Sequence, residues 1–264
     1  MKLFEFDGTL FVGMSDKLFA RFPFEQILVH FANIRDAIAG TQYILPTDLS
    51  RTIANASFVY AFNTYKAIGL LLPELYHESG AVLLRQLWEV SLNLHWISED
   101  FENRVRDFCN FTLIEYRNLL KKFGNKEDLR TFDHLSENFQ QRFRYRDAKG
   151  RNRVHSNFAK KTIYDRAVEL GDPWNEEYPL IYNLTSMNAH GAPGAIMYSI
   201  FLQNYSFPDI REKNASALIA IYSINTMVRN VLLLKRLSII LDASQVEEIY
   251  GLFQSCLGKI TANI

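Results

Sequence analysis

Apolar residues recur every three or four positions through most of the chain, the period of an amphipathic helix. The spacing predicts a helix from Ser15, a good N-cap, to about Ala39, ended by Gly40. Asp48 or Ser50 opens a second helix to about Tyr76, with Pro73 kinking its end. A third runs from about Ser79 to Ile97, and Ser98 caps a fourth that stops at Gly124. Lys126 to Tyr145 reads as a polar, exposed helix, and Asp147 to Asn157 as a loop. Thr162 to Leu170 is a short helix closed by Gly171-Asp172-Pro173, and Glu176 to His190 is another. Asp209 caps a long helix to about Leu241, and Ser244 caps the last one to about Lys259. The fold class expected is all-α: a single bundle-like helical domain over residues 15–264.

The first 14 residues break this period. Leu3, Phe4, Phe6, Leu10, Phe11 and Val12 flank Asp7-Gly8, a hairpin turn signal, so a short β-hairpin or extended arm is expected over 1–14. Such an arm needs helices or a partner to pack on.

The third helix is apolar almost all round, the mark of a central helix. Arg85 and Glu89 nevertheless lie in it, four residues apart on one face. A buried charge needs a partner. The two either form a structural ion pair that fixes helix register or floor a polar pocket.

Composition sharpens this picture at three points. Apolar residues make up 48% of the 264, enough for a packed interior, and only 12 Gly and 7 Pro interrupt it, which favours long helices over many strands. The 29 basic and 29 acidic side chains cancel, so the total charge gives no reason for general affinity to nucleic acid or membrane. Cys109 and Cys256 match no metal or redox spacing, and no metal or cofactor is expected. No signal peptide and no membrane span is read in the sequence, which makes a cytoplasmic protein the default.

The neutral total hides one imbalance. Arg142, Arg144, Arg146, Lys149, Arg151, Arg153, Lys160 and Lys161 fall within 20 residues against a single Asp147, a local excess of seven positive charges. Phe139, Phe143, Tyr145 and Phe158 are interleaved with them, and His155 lies beside them. Lys and Arg contact phosphates, and aromatic rings stack on unpaired bases, so this stretch points to RNA or a nucleotide. The alternative is a solvated loop, or one that pairs with acidic helices of a second subunit. His190 lies where a helix ends, in Ser186-Met187-Asn188-Ala189-His190-Gly191, placed for proton transfer near neutral pH.

Two short segments resemble haloacid-dehalogenase-type phosphatases: Glu5-Phe6-Asp7-Gly8-Thr9-Leu10 and Gly171-Asp172-Pro173-Trp174-Asn175-Glu176. The nucleophile position holds Glu5 rather than Asp, and the chain between them is helical, so that activity is set aside.

A broader resemblance covers roughly Ser50 to Tyr198. Leu83-Leu84-Arg85-Gln86-Leu87-Trp88-Glu89 with Leu94-His95-Trp96-Ile97, then Arg104 to Leu120, then Ala167 to Gly171 with Tyr178, Leu180, Tyr182, Ser186 and His190-Gly191 resemble the bacterial domain-of-unknown-function 5677 family. That likeness implies a helical fold and a homodimer, and supplies no activity. A looser likeness is to the higher-eukaryote-and-prokaryote nucleotide-binding (HEPN) helical domains, many of them ribonucleases. Those carry an Arg, then four to six residues, then a His; here six residues separate Asn183 from His190, with Asn where the Arg would be, and only three separate Arg151 from His155.

Two functions follow as expectations. One is a helical protein of ribonuclease-toxin or phage-defence type. In it His190, Arg85, Glu89 and Asn188 would act on RNA or a nucleotide without a metal. Arg142, Arg144, Arg146, Lys149, Arg151, Arg153 and His155 would hold phosphate. The other is a non-catalytic helical module that binds a partner protein or small ligand.

Overall fold

The structure, a computed structural model, describes residues 23–44, 46–124, 129–130, 132–133, 139–185, 208–240 and 242–262. The expected arm over 1–14 and the helix start at Ser15 lie outside them. The fold is all-α, as the helical period predicts. The described helices are α1 (Phe24–Ala39), α2 (Leu49–Leu71), α3 (His77–Glu99), α4 (Phe101–Phe123), α5 (Ile163–Leu170), α6 (Trp174–Glu177), a π-helical segment (Tyr178–Leu184), α7 (Pro208–Arg236) and α8 (Ala243–Ala262). The strands β1 (Arg144–Arg146) and β2 (Asn152–Val154) form a small antiparallel sheet between α4 and α5 in sequence.

Local chemistry explains most boundaries. The described helix α1 begins at Phe24, with Pro23 at its N-cap position. Asp48, rather than Ser50, caps α2 by accepting from the Arg51 backbone N–H at 2.8 Å. Pro73 ends α2 instead of kinking it; the helix stops at Leu71, and Leu75 turns the chain with φ 58°. Ser98 does not cap α4. Its hydroxyl bonds back to the His95 carbonyl at 2.7 Å, and Asp100 takes the N-cap position. Thr162 and Asp165 form a complete capping box on α5. Asp242, not Ser244, accepts from the Ser244 backbone and hydroxyl at the start of α8. Pro179 lies in the widened π turns; it lacks the N–H that a regular α-turn would use there.

The backbone clusters into two compact units: residues up to Pro46, Asn55–Ser91 and Pro179 onward in the first, Thr47–Ala54 and Leu92–Tyr178 in the second. In the first, α1, α7 and α8 pack against one another. Ile27, Ile34 and Ile38 of α1 are buried, as are Ala220, Ile224, Val231 of α7 and Ile249 of α8. Phe31 stacks on Tyr65 with ring centres 4.0 Å apart, and the Tyr65 hydroxyl donates to the Phe31 carbonyl. The stretch Glu212–Arg236 of α7 is long and apolar enough to cross a membrane, with 67% of its apolar window buried in the fold, as for a core helix.

In the second unit, Trp96, Ile97, Val105, Phe111, Ile114, Phe143, Phe158 and Ala159 form the core. Phe143 is fully buried at the root of the β-hairpin and meets Phe111 edge to face at 5.3 Å.

Candidate functional site

The expected pairing of Arg85 and Glu89 is present. Arg85 Nε donates to Glu89 Oε1 at 2.8 Å, and the two side chains keep only 15% and 29% of their surface exposed. Helical spacing alone brings them together. The Arg85 guanidinium also lies over the Tyr182 ring, 4.3 Å from its centre. Burial acts to lower the Arg85 pKa, but Glu89 and the Tyr182 hydroxyl outweigh it and hold the group above its ordinary value. The neighbouring Gln86 amide donates to the Tyr60 hydroxyl. Asn188 and His190 lie outside the described residues, so their distance from this cluster is not part of the geometry.

The basic stretch is folded, and it is neither a helix up to Tyr145 nor a loop from Asp147. Arg144–Arg146 pairs with Asn152–Val154 in the register Arg144↔Val154, Tyr145↔Arg153, Arg146↔Asn152. Asp147 builds the turn. Its carboxylate accepts from the backbone N–H of Lys149 and of Arg151, each at 2.9 Å, and Gly150 takes the left-handed φ of 72° that closes the hairpin. The local signal was the turn spacing Asp147-x-x-Gly150, which the density of cations obscured.

Register distributes the side chains. Directly opposed residues in an antiparallel pair share a face. Arg144, Arg146, Asn152 and Val154 therefore share one face, and Tyr145 with Arg153 the other. The His155 ring lies 4.4 Å from that of Tyr145.

Carboxylates neutralise some of the cations and leave others. Arg142 and Lys160 both pair with Asp107. Arg151 and Arg153 both reach Asp147 Oδ2, at 2.8 and 3.3 Å. The Arg151 backbone N–H first, then these two guanidinium groups, keep the Asp147 carboxyl below its ordinary range. Lys161 pairs with Glu169. Among the described residues, Arg144, Arg146 and Lys149 have no ion-pair partner, and all three are exposed.

One cluster was not read from the sequence as a unit. Glu169 of α5 accepts from Trp96 Nε1 at 2.7 Å, from Arg104 at 2.8 Å and from Lys161 at 2.8 Å. Arg104 lies over the Trp96 ring at 3.8 Å and also donates to the Trp96 carbonyl. Burial acts to raise the Glu169 pKa, but Lys161, Trp96 and Arg104 win and hold it down to about 2. These residues are 8 to 73 positions apart in sequence, so no local pattern could join them. Three donors from separate parts of the chain converge on this one carboxylate, which makes the cluster a brace for α3, α4 and α5. Among the described residues, no group of three or more His, Cys, Asp or Glu side chains gathers to hold a metal ion.

A model described as a family of unknown function (DUF5677) matches residues 51–207, more than half of the chain. No curated protein and no solved structure matches it.

Proposed function

This chain belongs to the DUF5677 family, and for it we propose an RNA-binding role of the ribonuclease-toxin or phage-defence type, with the β-hairpin as the binding element. The observation that carries the reading is the state of the hairpin cations. Arg144, Arg146 and Lys149 are exposed and, among the described residues, unpaired by any carboxylate. Five cations from Arg144 to Arg153 face one Asp147, an excess of four, on a chain whose total charge is zero. Phosphates attract such a surface without regard to base sequence. Tyr145, 43% exposed, offers a ring face for a base beside them.

Cleavage is the second half of the proposal. His190 takes the proton of the ribose 2′-hydroxyl, whose oxygen bonds to phosphorus as the phosphorus–5′-oxygen bond breaks. The protonated His190 then gives that proton to the leaving 5′-oxygen, yielding a 2′,3′-cyclic phosphate and a 5′-hydroxyl end, while a cation steadies the phosphate charge. Asn188 and Glu89 position the groups, and Arg85 supplies the cation. The arrangement around Arg85 supports a different reading as well. A guanidinium already held by Glu89 and laid over Tyr182 is satisfied where it is. That favours a non-catalytic module in which Arg85 and Glu89 are structural.

Incubation of the purified protein with total RNA in EDTA at low salt separates the two. Cleavage that is lost in folded His190→Ala supports the enzyme. Binding without cleavage supports the module, and neither binding nor cleavage overturns the RNA reading.

A further inference from the structure

The hairpin is open on both faces. All six strand residues, Arg144–Arg146 and Asn152–Val154, are exposed, and the fold anchors the ribbon through Phe143 at its root and the Asp147 turn at its tip. A two-stranded ribbon alone is marginally stable in water. Among the described residues nothing buries either side, yet cations stand on both. Arg144 and Arg146 occupy one face about 7 Å apart, two residues along a strand. Arg153, half-exposed and sharing Asp147 with Arg151 at a long 3.3 Å, occupies the other face with Tyr145 and His155, and Lys149 sits in the turn.

A single strand of RNA laid across such a ribbon meets one face. A groove meets both, because phosphate backbones flank it on either side. A two-stranded ribbon fits a groove about 12 Å wide, the width of the B-form DNA major groove. The major groove of regular A-form RNA is too narrow to admit side chains, and sequence-specific RNA recognition centres on loops and bulges whose bases are unstacked. A bulge opens the groove and also frees a base. The Tyr145 and His155 rings supply a stacking surface for that base on the same face as Arg153.

We infer that the hairpin takes an RNA helix whose major groove is opened by a bulge or internal loop, with Arg144 and Arg146 toward one backbone and Arg153 toward the other. This rests on the RNA reading above and narrows its substrate class.

The test is fluorescence anisotropy with four labelled probes of equal length: a bulged RNA stem, a fully paired RNA stem, an unstructured single-stranded RNA and a DNA duplex. The bulged stem is expected to bind about tenfold tighter than each of the others, the gain of one base stacked on an aromatic ring. Equal or tighter binding of the single strand, the paired stem or the DNA overturns this inference and leaves RNA binding standing. No binding to any probe overturns both.

A second measurement uses exposed positions that do not threaten the fold. On the bulged stem, Arg144→Gln/Arg146→Gln lowers the slope of log affinity against log salt by about 2, and Arg153→Gln lowers it by about 1. An unchanged slope for Arg153→Gln overturns two-faced contact.

Discussion

Trp96 and Glu169 are 73 positions apart, and the indole Nε1 of one donates to Oε2 of the other at 2.7 Å. The bond ties α3 to α5, and Arg104 and Lys161 complete the shell around the carboxylate. Glu169 titrates at about 2 against an ordinary 4.5, so its depressed pKa contributes stability above about pH 4.5 that is lost as pH falls toward 2. Glu169→Gln keeps the shape and removes the charge. Urea denaturation is expected to show a cost on the order of 1 kcal/mol at pH 7, modest because the carboxylate is partly open to water. The difference from the parent should shrink as pH drops from 5 to 2. A difference that stays constant over that range contradicts the assignment.

Arg85 and Glu89 are expected to be energetically coupled. Arg85→Ala, Glu89→Ala and the double substitution form a cycle whose coupling energy should be about 1 kcal/mol, typical of residues in direct contact. Arg85→Lys should recover little of it, because a lysine cannot match the guanidinium on both the carboxylate and the Tyr182 ring. Additive single effects in thermal or urea unfolding would show that the pair is incidental.

Phe143 links the hairpin to the core of its unit. It is fully buried, meets Phe111, and carries the Lys160 ammonium over its ring at 4.9 Å. Phe143→Ala is expected to destabilise by about 3–5 kcal/mol, the usual cost of removing a buried phenyl group. Backbone amides of β1 and β2 should lose hydrogen-exchange protection beyond the global change. Protection that survives would mean the hairpin is held by its turn alone.

Two glycines in helices should respond with opposite sign. A Cβ on Gly69 would lie 2.7 Å from Phe31 Cε1, and Phe31 is pinned by its stack on Tyr65. Gly69→Ala is therefore expected to cost about 1–3 kcal/mol through overpacking. A Cβ on Gly80 would meet Ile219 at an ordinary 3.5 Å. Gly80→Ala is expected to gain about 0.5–1 kcal/mol from helix propensity. The melting temperatures of the two variants check both signs.

Much of the fold was legible in the chain because helical signals are local. Gly40 and Gly124 close α1 and α4, and Thr162 opens α5, all at the expected residues. The errors fell where two residues of similar chemistry competed for one cap: Asp100 over Ser98, and Asp242 over Ser244. The hairpin was missed because its strands are only three residues long and wholly polar or exposed, so no apolar alternation marked them. The Arg85–Glu89 contact was readable because it spans one helical turn. The Glu169 brace was not, because long-range packing assembles it. Register, likewise, decides which cations share a face, and the sequence holds no direct signal for that.

The salt dependence of RNA affinity tests the central claim most directly. The parent protein and Arg144→Gln/Arg146→Gln/Lys149→Gln are titrated against one labelled RNA over a range of salt concentrations. All three positions are exposed and lack ion-pair partners among the described residues, so the variant should unfold within about 0.5 kcal/mol of the parent. The parent is expected to bind with steep salt dependence, and the variant to bind far more weakly with a slope lower by about 3. A variant that binds as tightly as the parent, with the same slope, would contradict the assignment of the hairpin as the RNA-binding element.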